Sequence, residues 1–345
     1  MANRTVLVTG ATGFIAQHII DDLLSKGYSV IGTARSQSKY QPILDAFKEK
    51  YPDAKLSFEI VPDISLEDAF DDVLKKHPEI TAVLHTASPF SFGLNKDLKE
   101  AYLNPAVNGT LNILKAIEKY APQVTNVVTT SSYVAIMTGM PSHLHTSDTW
   151  NPINWENDVN NEYFAYIASK TYAERAARDF AKEHNVNFKL STVNPPLVFG
   201  PQLFDFSVGP VLNTSNQMIT AATTIDKDST KAELGTPALA ADVRDIAAFH
   251  VLPLENEKAA DQRLFIAAGP VVTQTILNII NENIPELKGK VALGDPASEK
   301  ELIEKHTDKY DLTNLYNVIG KYEFIPIEKS VVDVLEQYLR FNKVN

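Results

Sequence analysis

Thr5-Val6-Leu7-Val8-Thr9-Gly10-Ala11-Thr12-Gly13-Phe14-Ile15-Ala16 decides how this chain is read. An apolar run enters a glycine turn, and a helix-like pattern follows in Ile15, Ile19, Ile20, Leu23 and Leu24. That is a buried strand opening onto a helix N-terminus. In such a turn Gly10 permits the tight bend, Gly13 lets backbone approach a pyrophosphate, and Ala16 lets helix and strand pack closely. Unpaired N–H groups and the helix dipole then favour phosphates. The spacing is G-x-x-G-x-x-A rather than G-x-G-x-x-G. Gly10, Thr12, Gly13, Phe14 and Ile15 are the candidate cofactor contacts of this turn.

The rest of the composition limits what such a turn serves. The 345 residues carry a formal net charge of −11, which disfavours nucleic acid and anionic membrane as partners. There is no cysteine, so disulfides, thiolate metal sites and cysteine nucleophiles are excluded. No metal site is expected. The start enters the first strand almost at once, leaving no room for a signal peptide. No apolar run approaches the roughly 20 residues needed to span a bilayer. A cytoplasmic protein is the expectation.

Strand-like runs at Val6–Thr9, Ser29–Thr33, Ser57–Pro62, Ala82–Thr86, Asn126–Ser131 and Phe188–Val193 alternate with helix-like segments near 13–26, 39–50, 66–76, 97–120 and 163–184. Repeated strand–helix–strand units imply right-handed crossovers and a parallel sheet covered on both faces. The expected fold is α/β, a Rossmann-type doubly wound parallel sheet with a smaller C-terminal lobe. Residues 1–195, with a returning segment near 240–255, form the nucleotide-binding domain. Residues 196–345 form a mixed substrate lobe, with helices near 208–224, 243–254, 274–283, 308–320 and 327–341 and a strand at Arg263–Ala267. These pieces look too scattered for a fully independent second core.

Which dinucleotide is bound depends on the end of the second strand. NAD-preferring sites place an acid about 20 residues past the glycine turn. This chain has Arg35 there, with Lys39 one helical turn on. A planar, permanently charged guanidinium suits a 2′-phosphate, hence NADPH. Asp63 and Ile64 end the third strand, where a carboxylate can meet the adenine amino group and an apolar chain can cover the ring. Asp63 also reads as a helix N-cap. Thr86, Ala87 and Ser88 close the fourth strand with small residues where a cofactor must pass.

Chemistry enters with Tyr166 and Lys170, four apart and so on one helix face. A lysine one turn away, beside a cationic nicotinamide, favours phenolate and lowers the tyrosine pKa from about 10. Tyr166 then serves as acid toward a carbonyl oxygen or as base toward an alcohol. Ser132, just past the fifth strand, can bond the same oxygen. Lys170 can also hold the nicotinamide ribose.

The glycine turn, Arg35-Ser36, Val61-Pro62-Asp63-Ile64, His85-Thr86-Ala87-Ser88-Pro89, Ser131-Ser132-Tyr133, Tyr166-x-x-x-Lys170, Asn194-Pro195-Pro196-x-Val198-Phe199-Gly200-Pro201 and Asp242-Val243-Arg244-Asp245 occur in that order. Together they resemble the extended short-chain dehydrogenases/reductases over nearly the whole chain. The likeness is strongest to the yeast NADPH-dependent carbonyl reductases of the methylglyoxal/3-methylbutanal type, relatives of plant dihydroflavonol and cinnamoyl-CoA reductases. The resemblance implies a Ser132–Tyr166–Lys170 triad, with Asn108 behind the lysine in a water relay. It places Pro195 and Val198 beside the nicotinamide carboxamide, and Phe90, Tyr133, Met137, Phe164 and Leu197 around the substrate. Met137 and Leu197 stand where near relatives carry an aromatic and a tyrosine, and Ala238-Leu239-Ala240-Ala241 is slighter than usual, so the pocket is expected to be wider. A small neutral aldehyde or ketone is the implied partner, and the protein a monomer or a homodimer paired through helices near 97–120 and 163–184. A nucleotide-sugar epimerase or dehydratase and a non-catalytic NADP sensor are the competing readings.

Overall fold

The computed structural model describes residues 4–88, 93, 96–140, 143–225 and 237–342. Seven parallel strands make the central sheet: β1 (Thr5–Thr9), β2 (Ser29–Ala34), β3 (Leu56–Ile60), β4 (Ile80–His85), β5 (Asn126–Thr130), β6 (Lys189–Asn194) and β7 (Arg263–Phe265). Their order is β7-β6-β5-β4-β1-β2-β3, a doubly wound sheet that reverses direction between β1 and β4.

Side chains alternate across a strand, so a sheet covered on both faces needs apolar residues at consecutive positions. Val6 and Val8 enter one core layer and Leu7 the other; Ala82 and Leu84 divide from Val83 in the same way. Helix α1 (Phe14–Ser25) covers the first face with Ile19, Ile20 and Leu23. The opposite face is covered by α2 (Asp71–Lys76), α3 (Asn104–Tyr120), which contributes Ile113, Leu114 and Ile117, and α4 (Glu162–Glu183), which contributes Ala177 and Phe180. Helix α5 (Val243–Glu255) returns to pack Ile246 and Phe249 into the first layer beside α1.

The structure differs from the sequence expectations at several elements. The strand at Arg263 is not part of the lobe: Leu264 and Phe265 pair with Val193 and Asn194 and complete the main sheet. The helix expected from 66 begins only at Asp71, because turns at Leu66–Ala69 and Asp68–Asp71 precede it. The segment from 97 starts as a π-helical turn, Lys99–Leu103, before α3. Pro105, at the start of α3, has no N–H to donate backwards, so a regular helix cannot run through it. The stretch 308–320 divides into a short strand, Lys309–Tyr310, parallel to Leu144–His145, and a helix, Thr313–Ile319.

Beyond β6, residues 197–199, 238–242 and 269–271 form a second, three-stranded sheet. Contrary to expectation, this lobe has its own apolar cluster. Phe199, Ile219, Ala240, Ile276, Ile280 and Leu335 are buried there by helices Thr214–Ala222, Thr273–Asn283 and Ile327–Phe341. No described helix is long and apolar enough to cross a membrane.

Candidate active site

The candidate residues gather at the C-terminal ends of β1, β4, β5 and β6, the edge where open α/β sheets bind ligands. Gly10 turns with φ +63°, and a Cβ there would lie 2.8 Å from Ala87 Cα. The first loop and the end of β4 are thus in backbone contact, and Thr86 Oγ1 donates to Thr9 O at 2.6 Å. Gly13 is the N-cap of α1 and no side chain caps that helix. The first-turn N–H groups, those of Phe14 and Ile15 among them, have no intrahelical partner and face the same edge. A cradle that a side chain would fill, at an uncapped helix N-terminus, fits a pyrophosphate.

Arg35 and Lys39 are exposed where β2 runs into the next helix, Gln37–Lys50. Asp63 Oδ1 accepts from Ser65 N (2.8 Å) and Oγ (2.7 Å), and those bonds hold its carboxyl below the usual range. These bonds close a local turn rather than cap a helix, because the next helix begins only at Asp71, and Oδ2 takes no part in that turn. Ile64 packs into α3 so closely that a Cβ on Gly109 would come within 2.7 Å of its Cδ1. Asn112 Nδ2 donates to the carbonyls of Ile64 (3.0 Å) and Leu66 (2.7 Å). Asn112 was not legible as a site residue, because a lone amide in an amphipathic helix gives no signal of what it holds.

Ser132 is buried and caps a short 3-10 turn, its Oγ accepting from Val134 N at 3.3 Å. It is also hydrogen-bonded to the Tyr166 phenol. Desolvation raises the Tyr166 pKa and the Ser132 bond lowers it only in part, so the net shift is upward. Burial penalises phenolate, and the depression expected of Tyr166 depends on the cationic nicotinamide that would lie beside it. Lys170 is lowered to about 8 by burial. Beside it is a cavity of about 20 Å³ lined by His85, Ala87, Thr110, Ser131, Lys170 and Glu174. That is enough for one water with polar partners.

Asn108 does not lie behind the lysine. It is exposed on α3, whereas Gly109 faces Ile64 and Thr110 reaches the cavity. Two residues turn a helix by about 200°, which puts Thr110 and Asn108 on opposite sides.

Tyr133, expected around the substrate, lies in the core instead. Its ring stacks on Phe265 at 5.2 Å inside the main core. Its hydroxyl lies between His145 Nδ1 (2.6 Å) and Asp308 Oδ2 (2.8 Å). Such a side chain is a wall between core and lobe rather than a substrate contact. Met137 is half-buried against the same core, Phe164 is 37% exposed at the start of α4, and Leu197 packs against the lobe's cluster. Pro195 accepts from Tyr133 N at 2.8 Å, and Val198 is buried on the next strand. Phe90 lies outside the described residues.

This fold and edge define a dinucleotide-dependent enzyme class, and comparison with known proteins agrees. Residues 6–267 match the NAD dependent epimerase/dehydratase family, and the chain belongs to it, among the extended short-chain dehydrogenases/reductases. A putative NADPH-dependent methylglyoxal reductase of Candida albicans is 41% identical over 98% of this chain and 99% of that protein. The NADPH-dependent methylglyoxal reductase of Saccharomyces cerevisiae is 42% identical over 85% of this chain and 86% of that protein. The crystal structure of yeast methylglyoxal/isovaleraldehyde reductase complexed with NADPH superposes with a TM-score of 0.91 at 39% identity, covering 98% of each chain.

Proposed function

We propose that this protein is an NADPH-dependent carbonyl reductase that converts small neutral aldehydes or ketones to alcohols. The observation that carries the reading is the Ser132–Tyr166 hydrogen bond, with desolvated Lys170 one turn further along the helix. Gly10, Thr12, Gly13, Phe14 and Ile15 hold the pyrophosphate, and Arg35 with Lys39 the 2′-phosphate. Asp63 and Ile64 bound the adenine. Thr86, Ala87, Ser88, Pro195 and Val198 line the path to the nicotinamide, and Tyr166 and Lys170 hold its ribose. Bound NADPH supplies the hydride.

The chain's own residues act on the carbonyl oxygen. Ser132 and Tyr166 donate to it, and their bonds strengthen as negative charge develops, which is differential stabilisation of the transition state. Tyr166 gives up its proton there. Lys170, with a pKa of about 8, holds positive charge near neutrality and stabilises the phenolate left behind. Met137, Phe164 and Leu197 are proposed as the apolar wall, consistent with a neutral substrate. A nucleotide-sugar substrate would need basic groups in the lobe. Arg244 is committed to Asp242 at 2.7 Å and Asp333 at 2.8 Å, so it does not serve a diphosphate. The absence of cysteine suits a reducing cytosol, and the proposed assembly is a monomer or homodimer.

The test is Tyr166→Phe, assayed by NADPH absorbance with methylglyoxal and isovaleraldehyde. Turnover should fall by about a thousandfold or more while NADPH binding persists. Retained turnover in that variant would refute the assignment.

A further inference from the structure

We propose that Glu174 is a positioning residue for Ser132, fixing the end of β5 against the helix that carries Tyr166 and Lys170. The inference rests on the reading of Ser132 and Tyr166 given above. Tyr166, Lys170 and Glu174 recur every four residues, so they lie along one side of α4. Glu174 has a fully buried carboxylate, and a buried charge is tolerated only when paired and bonded. Both of its oxygens are saturated. Oε1 accepts from Arg263 Nε at 2.6 Å and Thr192 Oγ1 at 3.1 Å. Oε2 accepts from Asn194 Nδ2 at 2.7 Å and from the Ser131 hydroxyl. Burial works against the carboxylate, but Arg263 and Ser131 outweigh it and hold Glu174 below its ordinary pKa.

Two of these bonds converge on Ser132. Ser131 is its chain neighbour. Asn194 Nδ2 also donates to the Ser132 carbonyl at 3.2 Å, so one amide group ties Ser132 to Glu174. Arg263 extends the bracing, donating to the carbonyls of Ala135 (3.0 Å), Ser147 (3.0 Å) and Thr149 and lying 3.9 Å over the Trp150 ring. The carboxylate on α4 therefore joins Ser131, just past β5, to β6 and β7, and through Arg263 it reaches the loop after Ser132. A displacement of about 1 Å at a reacting group costs roughly a hundredfold in rate, so this register bears directly on turnover.

Glu174→Gln keeps the volume but swaps an acceptor for a donor that must face donating groups. The experiment measures kcat for the methylglyoxal reaction and Kd for NADPH in wild type, Glu174→Gln, Ser132→Ala and the double variant, with folding checked by circular dichroism. Expected is a kcat loss of about tenfold or more in Glu174→Gln, with NADPH affinity within about twofold of wild type. In the Ser132→Ala background the same change should cost less than about twofold, because the group it positions is gone. Equal losses in both backgrounds, or an unchanged kcat in Glu174→Gln, would overturn the proposal while leaving the triad reading intact. An unchanged kcat in Ser132→Ala would instead remove the triad reading and this inference with it. If Glu174→Gln does not fold, Ser131→Ala replaces it in the same cycle. That variant deletes one bond and keeps the Arg263 pair, and it should show the same dependence on Ser132; a loss independent of Ser132 would overturn the proposal.

Discussion

Tyr133 donates its hydroxyl proton to Asp308 across 2.8 Å, joining the residue after Ser132 to a carboxylate 175 positions further on. Proton directions follow from the neighbours. Thr138 N–H can only donate, so His145 Nε2, at 3.1 Å, accepts. The neutral ring then carries its proton on Nδ1 and gives it to the tyrosine oxygen, 2.6 Å away. Burial favours that neutral ring, Asp308 opposing it.

Tyr133→Phe keeps the stack on Phe265 but leaves the buried His145 N–H without an acceptor. The expected cost is about 1–3 kcal/mol of stability. Urea denaturation should show a lower midpoint with an unchanged slope, and an unshifted midpoint would contradict the clasp.

Arg35→Ala should lower NADPH affinity by roughly tenfold or more and leave NADH affinity nearly unchanged, since a charge-assisted phosphate contact contributes about 1.5–3 kcal/mol. Titration with both cofactors checks this. Parallel losses for the two would place the phosphate contact elsewhere.

Gly10→Ala combines a positive φ, costing an ordinary residue roughly 1–2 kcal/mol, with a Cβ only 2.8 Å from the Ala87 backbone. Both the thermal midpoint and NADPH affinity should fall. A variant as stable and as tight-binding as wild type would show that the turn and the end of β4 are not in contact.

Acid should destabilise the protein through buried histidines. His250 donates Nδ1–H to Ile246 O at 2.7 Å and is lowered from 6.5 to about 4 by burial, that bond opposing. Its folded value lies below the unfolded one, so the unfolded chain binds more protons between those values. The contribution is complete above pH 6.5 and is lost as pH falls toward 4, on the order of 3 kcal/mol. His18, lowered to about 4, and His85, lowered to about 3, act in the same direction. His250→Gln should flatten the dependence of stability on pH in that window by about one proton. An unaltered pH slope would mean that His250 is already protonated in the fold.

Much of the fold was legible because its signals are local. Val6-Leu7-Val8 and Ala82-Val83-Leu84 must be apolar at every position to feed two core layers, and that requirement is written in consecutive residues. The strand at Arg263 is legible as a strand, but its place in the main sheet rather than in the lobe is not. Its three residues carry no mark of the partner that Val193 and Asn194 supply. In the candidate site, Tyr166 and Lys170 were paired by helical spacing alone. The place behind the lysine that the resemblance implies for Asn108 is not legible in the residues, because helical phase relative to a distant lysine depends on how α3 is rotated, and Gly109 packs against Ile64.

By itself, then, the chain determined the parallel doubly wound sheet, the glycine cradle and the tyrosine–lysine face, since each depends on periodicity or spacing within one or two elements. Only the tertiary structure decided that Tyr133 belongs to the core, that Thr110 rather than Asn108 reaches the cavity beside Lys170, and that Glu174 meets Ser131, Thr192, Asn194 and Arg263 together. The physical reason is that a buried polar group is defined by its partners. Glu174 and Arg263 are 89 positions apart in sequence, and the crossovers that bring them within 2.6 Å leave no local trace.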